Sequence, residues 1–148
     1  MTENVGINLI ENGKEALGRG DTLSALGFFE KALDEGQNPT ARSYLAFCIA
    51  KDRGLTKRGI AWCEENLRLE PENPVHYLNL GRIYLLMKKR EEAIRSFRDG
   101  LKLGPSDEIA DELHKLGVRG TPVVPFLRRR NPLNKYLGIL LKILRLRS

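Results

Sequence analysis

The sequence predicts an all-α fold built from stacked helix hairpins, and two observations carry that expectation. The first is the stretch from 74 to 105, PVHYLNLGRIYLLMKKREEAIRSFRDGLKLGP, which reads as two helices joined by a short turn. Tyr77, Leu80, Gly81 and Tyr84 share one face of the first helix, and Ala93, Phe97, Gly100 and Leu101 share one face of the second. Small residues at Gly81, Ala93 and Gly100 let two antiparallel helix backbones approach closely, while Tyr84 and Phe97 fill the remaining volume. The second observation is recurrence, because the same layout returns twice upstream at a spacing of roughly 34 residues. Repetition of a unit that cannot bury its apolar face alone implies a stack.

Taken in order, the first hairpin covers about 5 to 37. Ile7, Ile10, Ala16 and Leu17 mark an amphipathic helix, Gly18 to Gly20 break it, and Asp21 caps a second helix reading ALGFFEKAL. Ala25, Phe29 and Ala32 repeat the intervals of Ala93, Phe97 and Gly100, whereas Asn12 and Gly13 stand where the third hairpin has Leu80 and Gly81. Loose packing at this edge is the expectation. The second hairpin covers about 39 to 71, with Leu45, Ala46 and Ile49 corresponding to Leu80, Gly81 and Tyr84, and Gly59, Cys63 and Asn66 to Ala93, Phe97 and Gly100. Its turn, KDRGLTKRG, reads as one residue longer than the others, and Asn66 reads as a partly exposed amide bonded to a neighbouring turn.

The Asn-Pro pairs at 38–39, 73–74 and 131–132 mark helix starts, since asparagine caps well and proline at the first helical position needs no donor. Residues 106 to 116 read as a short polar-faced helix capped by Ser106, with Asp107 and Glu108 favourably placed against the helix dipole and Gly117 ending it. Such a helix covers the last apolar face of a stack. An extended Pro- and Arg-rich linker follows at 118 to 131, and an amphipathic basic helix at 132 to 148. That last helix is roughly 24 Å long, short of the roughly 30 Å of a hydrocarbon core, so it would lie on a surface and not span one.

In the third hairpin the spacing of an aromatic, Leu-Gly, Tyr, Ala, Phe and Pro (Tyr77, Leu80-Gly81, Tyr84, Ala93, Phe97, Pro105) resembles the tetratricopeptide repeat. The resemblance covers about three repeats, from 5 to 105, and is strongest in the third. It implies a right-handed superhelical stack of three antiparallel hairpins with a capping helix, and a groove lined by the first helix of each hairpin that holds an extended or helical peptide. By register the lining would be Ile10, Lys14, Phe47, Lys51, Leu78, Arg82, Leu85 and Leu86, largely apolar with scattered positive charge. The chaperone-binding branch of the family clamps a terminal carboxylate with Lys, Asn and Arg. This chain offers Lys14 and Arg82 but has Phe47 where Asn would be needed, which speaks against a heat-shock co-chaperone. Small secretion chaperones with three such repeats are similar in size.

Charge separates body from tail. All 19 acidic residues lie in 1 to 118 with 17 Lys and Arg, while the other eight basic residues lie in 119 to 148 without an acid. Arg128, Arg129, Arg130, Lys135, Lys142, Arg145 and Arg147, beside eight large apolar residues, suit several roles: folding back over the array, resting on an anionic membrane surface, or pairing with a second copy. Phe126 and Tyr136 are the only nearby aromatics, which speaks against nucleic acid. Cys48 and Cys63 lack metal or disulfide spacing and read as reduced packing residues. With no basic region ahead of an apolar run in MTENVGINLIENGKE, a cytoplasmic protein is expected. His76 and His114 read as solvated surface residues and Trp62 as core. No nucleophile has an evident base and no Gly-rich loop follows a strand, so neither an enzyme nor a cofactor or metal is expected, and the chain reads as a protein-binding scaffold or adaptor.

Overall fold

The computed structural model describes residues 2 to 118, which form seven α-helices and, among the described residues, no strand. The chain divides into two compact units, Met1–Glu112 and Leu113–Ser148. The seventh helix crosses that division. Beyond Val118 the expected linker and basic tail helix, with every basic residue named for them, lie outside the described residues.

Three antiparallel hairpins make up the first unit: α1 (Thr2–Gly18) with α2 (Thr22–Asp34), α3 (Pro39–Arg53) with α4 (Thr56–Leu69), and α5 (Pro74–Leu86) with α6 (Arg90–Lys102). A shorter α7 (Asp107–Lys115) follows. Local chemistry sets the helix starts. Asp21 accepts a hydrogen bond from the Ser24 backbone N–H at 3.1 Å, Asn38 from Ala41 at 3.1 Å and Asn73 from Val75 at 3.1 Å, and Pro39 and Pro74 open their helices. The three turns share a device. Gly20, Gly54 and Lys88 all take the left-handed conformation, at φ of 78°, 69° and 59°. Glycine adopts it freely, and only Lys88 does so against the steric preference of a Cβ.

A ring against a glycine closes the outer two hairpins. A Cβ on Gly81 would lie 2.4 Å from Phe97 Cε1, and one on Gly13 would lie 2.6 Å from Phe29 Cε1. Both phenylalanines are fully buried, and burial of such a ring contributes about 1.5–3 kcal/mol. The first hairpin is therefore not loosened, because Gly13 takes the same role as Gly81 although Asn12 beside it is exposed. Phe29 also stacks on Tyr44 at 5.1 Å between centroids, which ties the first hairpin to the second. What stays open at this edge is the apolar surface of Val5, Ile7 and Leu23 and a cleft lined by Gly6, Ile7, Ala32 and residues 35 to 38.

The second hairpin closes differently. Its small residue sits on the second helix, where a Cβ on Gly59 would meet the Ala46 carbonyl oxygen at 2.8 Å and Ile83 Cδ1 at 2.9 Å. Cys63 stands in the ring's place, and the core there combines Ala46, Ala50 and Cys63 with Leu80 and Ile83 of the third hairpin. The extra residue expected in its turn lengthens the helix instead: α3 has 15 residues and a two-residue link, against 13 in α5 and a three-residue link.

Two expected surface groups are in the core. Asn66 is fully buried with neither side-chain polar atom hydrogen-bonded, and His76 is fully buried with Nε2 3.0 Å from Glu70 Oε1 and Nδ1 unpartnered. The cause is the same for both. Helices in the middle of a stack are contacted on more than one side, so α5 packs on α3, α4 and α6 at once and α4 on α3 and α5. Asn79 and Ser43 lie in this junction too, with Asn79 Nδ2 donating to Ser43 Oγ at 3.3 Å and to the Val75 carbonyl at 3.2 Å. His114 is exposed, as expected. Trp62 is only half-buried, with the guanidinium groups of Arg42 and Arg58 each 5.3 Å from its ring centroid.

Candidate functional site

The first helices of the three hairpins bring a defined set of side chains together. Phe47 and Lys51 are one turn apart on α3, and Arg82, Leu85 and Leu86 fall on successive positions of one α5 face. The Lys51 ammonium lies 5.8 Å and the Arg82 guanidinium 5.6 Å from the Phe47 ring centroid, so two cations from neighbouring hairpins flank one half-buried aromatic. Leu85 is half-buried and Leu86 is 39% exposed, continuing the apolar strip along α5.

Two of the eight expected lining residues do not belong to that surface. Leu78 is 1% exposed and Ile10 is 8% exposed, so both are core. Register alone counted Leu78 with Arg82, one turn later on the same helix, but α5 is enclosed from three sides and only its last turn stays open.

Lys14 and Arg82 are not scattered free charges. Glu108 of α7 is 3.1 Å from Lys14 Nζ and 3.8 Å from an Arg82 nitrogen, and the Tyr44 hydroxyl donates to its two oxygens at 3.0 and 2.9 Å. Glu112, one turn further on, accepts from Arg82 Nε at 2.8 Å. Lys14 also pairs with Glu11 at 3.3 Å. One carboxylate of α7 thus gathers groups from α1, α3 and α5. Ile109 between the two glutamates is fully buried, seated so close to Gly100 that a Cβ there would come within 2.6 Å of its Cδ1.

The electrostatics follow from this crowding. Burial works against the Lys14 ammonium, but Glu108 and Glu11 outweigh it and its pKa stands above the ordinary lysine value. Burial, reinforced by the Glu108 charge, pushes the Tyr44 phenol well above its ordinary pKa, so it remains a hydrogen-bond donor at any working pH. Burial pushes both Cys48 and Cys63 up to about 12, which leaves them as unreactive thiols.

Tyr44, Glu108 and Glu112 escape the sequence reading. Glu108 looks like a residue serving the helix dipole, and the one available signal is the pair of acids one turn apart on α7 beside a lining that carries three cations. Among the described residues no cluster of three or more His, Cys, Asp or Glu is placed to hold a metal ion, and no helix is long and apolar enough to cross a membrane.

No family model matches the sequence. A pentatricopeptide repeat-containing protein of Arabidopsis thaliana is 34% identical over 94 residues, 57% of this chain. The chain spans only 22% of that relative's length. Among solved structures, the first tetratricopeptide-repeat domain of Spaghetti (RPAP3), bound to the HSP90 peptide SRMEEVD, aligns with a TM-score of 0.52 at 20% identity, over 77% of this chain and 91% of that one. The second such domain of human RPAP3, in complex with the HSP70 peptide SGPTIEEVD, gives 0.52 at 16% identity, over 80% and 100%. The domain of Arabidopsis OM64 gives 0.55 at 20%, over 78% and 96%. With three helix hairpins in register and these structures superposing over most of its length, the chain has the tetratricopeptide-repeat fold.

Proposed function

We propose that this chain is a protein-interaction module, a scaffold or adaptor without catalysis of its own, whose first-helix face binds a peptide or helix of a partner protein. The observation that carries the reading is the strip of Phe47, Lys51, Arg82, Leu85 and Leu86, an aromatic between two cations continued by partly exposed leucines. Aromatic and arginine side chains at the centre of a patch are the usual anchors of such contacts. Two structural neighbours hold peptides, which supports the same use here. The experiment is a peptide-array screen with the full chain, followed by titration of the best binder against Phe47→Ala. Loss of about tenfold or more in affinity is expected, with circular dichroism verifying the fold. Unchanged affinity would remove the strip as the site.

A second reading rests on the charge asymmetry of the sequence. Eight basic residues without an acid in 119 to 148, interleaved with large apolar ones, suit a peripheral attachment to anionic membrane from the cytoplasmic side. In flotation with phosphatidylserine vesicles the full chain should rise at low salt and a form ending at residue 118 should not. Equal behaviour of the two discards the attachment.

A further inference from the structure

We propose that the turn edge of the second and third hairpins is a docking surface for the phosphate backbone of a double-stranded nucleic acid, bound through exposed lysines and arginines without regard to base sequence. It goes beyond the peptide-binding reading and does not depend on it. Lys51, beside Phe47, is the residue the two surfaces share.

The stack places these turns together. α3 and α5 run side by side in the same direction: Asn73 Nδ2 donates to Thr40 Oγ1 at 2.9 Å, Asn79 Nδ2 to Ser43 Oγ at 3.3 Å, and further along Arg82 lies over Phe47. The turns that follow the two helices, 51 to 58 and 87 to 90, therefore stand at one end of the array. Between them they carry seven lysines and arginines against one acid, Asp52, with Glu91 and Glu92 next in α6. At the opposite end the links at 34 to 38 and 69 to 73 carry four acids and no lysine or arginine. The near-balance of 17 basic and 19 acidic residues in 1 to 118 hides this separation along the helix axes.

The chemistry of the edge selects the ligand. Arg53, Lys57, Arg58, Lys88 and Lys89 are exposed, and none of them enters an ion pair among the described residues. Such cations suit a polyanion, whose binding comes from phosphate contacts and the counterions they release. Leu55, 38% exposed, is the one large apolar side chain exposed in the two turns. That is too little for the apolar centre of a protein interface or for insertion into lipid. The rings beside the basic turns are already covered: Phe47 lies between Lys51 and Arg82, and Trp62 has the Arg42 and Arg58 guanidinium groups 5.3 Å from its centroid. Neither offers an open platform to an unpaired base, so the edge fits a duplex and not a single strand. The scarcity of aromatics in the tail, which speaks against stacking, does not bear on phosphate contacts.

The test measures binding of the full chain to fluorescein-labelled DNA and RNA duplexes of one sequence, and to the single strand of each, by anisotropy over a salt series. Three forms are compared: wild type, an edge variant with Arg53→Gln, Lys57→Gln, Lys88→Gln and Lys89→Gln, and a control of equal net charge. The control carries Lys31→Gln, Arg68→Gln, Arg98→Gln and Lys102→Gln, exposed cations in or near the last turns of α2, α4 and α6, away from the edge. All eight positions are on the surface, and circular dichroism verifies the fold. The edge variant should lose about tenfold or more in duplex affinity, its salt slope falling by about 3 to 4, while the control loses less than about threefold. The duplex that binds tighter identifies the source of the phosphates, and either supports the edge. Equal losses in the two variants, an unchanged salt slope, or a single strand bound more tightly than its duplex overturns the proposal. So does flotation with phosphatidylserine vesicles that falls with the edge variant as steeply as duplex affinity, which would make the edge a lipid surface. The Phe47→Ala titration is a separate readout, so failure here leaves the peptide-binding strip standing.

Discussion

The second hairpin and the two that flank it reach one geometry by different packing. In the outer hairpins a phenylalanine ring packs against a glycine of the partner helix, Phe29 on Gly13 and Phe97 on Gly81, so each ring-and-glycine pair lies within one hairpin. The middle hairpin has no ring at the equivalent place. Gly59 brings α4 against the backbone of α3, and the space a phenylalanine would fill is taken by Cys63 with Ile83 and Leu80 from α5. The outer units each carry a ring-and-glycine pair of their own, and the middle one fills that place with side chains of its neighbour. A further contrast lies at the third signature position, where Ala32 and Gly100 are replaced by a buried Asn66.

The largest effect that would sharpen this contrast comes from truncating the ring. Phe97→Ala should cost about 3–5 kcal/mol in a urea titration, since a fully buried phenyl leaves a cavity its surroundings cannot close. Cys63→Ala, at the equivalent place, should cost about 1 kcal/mol, because it removes one atom. Equal losses at the two positions would mean that the locks are not different in kind.

Acidification probes the polar junction between the second and third hairpins. Burial lowers the His76 pKa, and the nearby Glu70 carboxylate opposes this without reversing it. The folded state therefore favours neutral imidazole, while the unfolded chain protonates near the ordinary 6.5. Stability from this group is complete above that value and is lost as the pH falls from there through the depressed folded value, by at most about 1.4 kcal/mol per pH unit. Urea midpoints at about pH 7.5 and 5.5 should differ in the wild type, and His76→Gln should flatten the difference. A wild type insensitive over this window would place His76 in water after all.

Asn66 gives the smallest effect and the opposite sign. Its amide is buried with both polar atoms unpartnered, a cost of about 1–3 kcal/mol in desolvation that only the lost volume offsets. Asn66→Ala restores the residue type of Ala32 and should raise stability by about 1 kcal/mol. A clear loss would show that the amide is satisfied by bound water.

How much of this was legible in the sequence depends on whether a feature is local. The asparagine caps, the prolines that open α3 and α5, and the ring-and-glycine pair at Phe97 and Gly81 each follow from neighbouring residues, and the structure places them where the pattern puts them. Helical periodicity then assumes one buried face per helix. That assumption fails for α5, enclosed by α3, α4 and α6, where register alone puts Leu78 and His76 on the surface and the structure buries both. Lys14, Phe47, Arg82 and Leu85 are half-buried, and Lys51 and Leu86 are exposed. What the pattern could not supply is the partner of Lys14, because Glu108 lies 94 positions further along the chain and only the stacking of three hairpins brings the two within 3.1 Å. The expectation that the chain's own tail covers this face falls on residues outside the described ones; within the described part, α7 reaches Lys14 and Arg82 through Glu108 and Glu112.

The left-handed residue shared by the three turns has a last consequence, for proteolysis. Gly20 and Gly54 accept that backbone conformation at no steric cost, but Lys88 holds it at about 1–2 kcal/mol. Lys88 and Lys89 are exposed and follow one another in the turn between α5 and α6, so local opening there relieves strain and presents two tryptic bonds together. Limited trypsin digestion of the first unit should begin at this turn, inside the best-matched repeat, and Lys88→Gly should delay it by removing both the strain and one of the bonds.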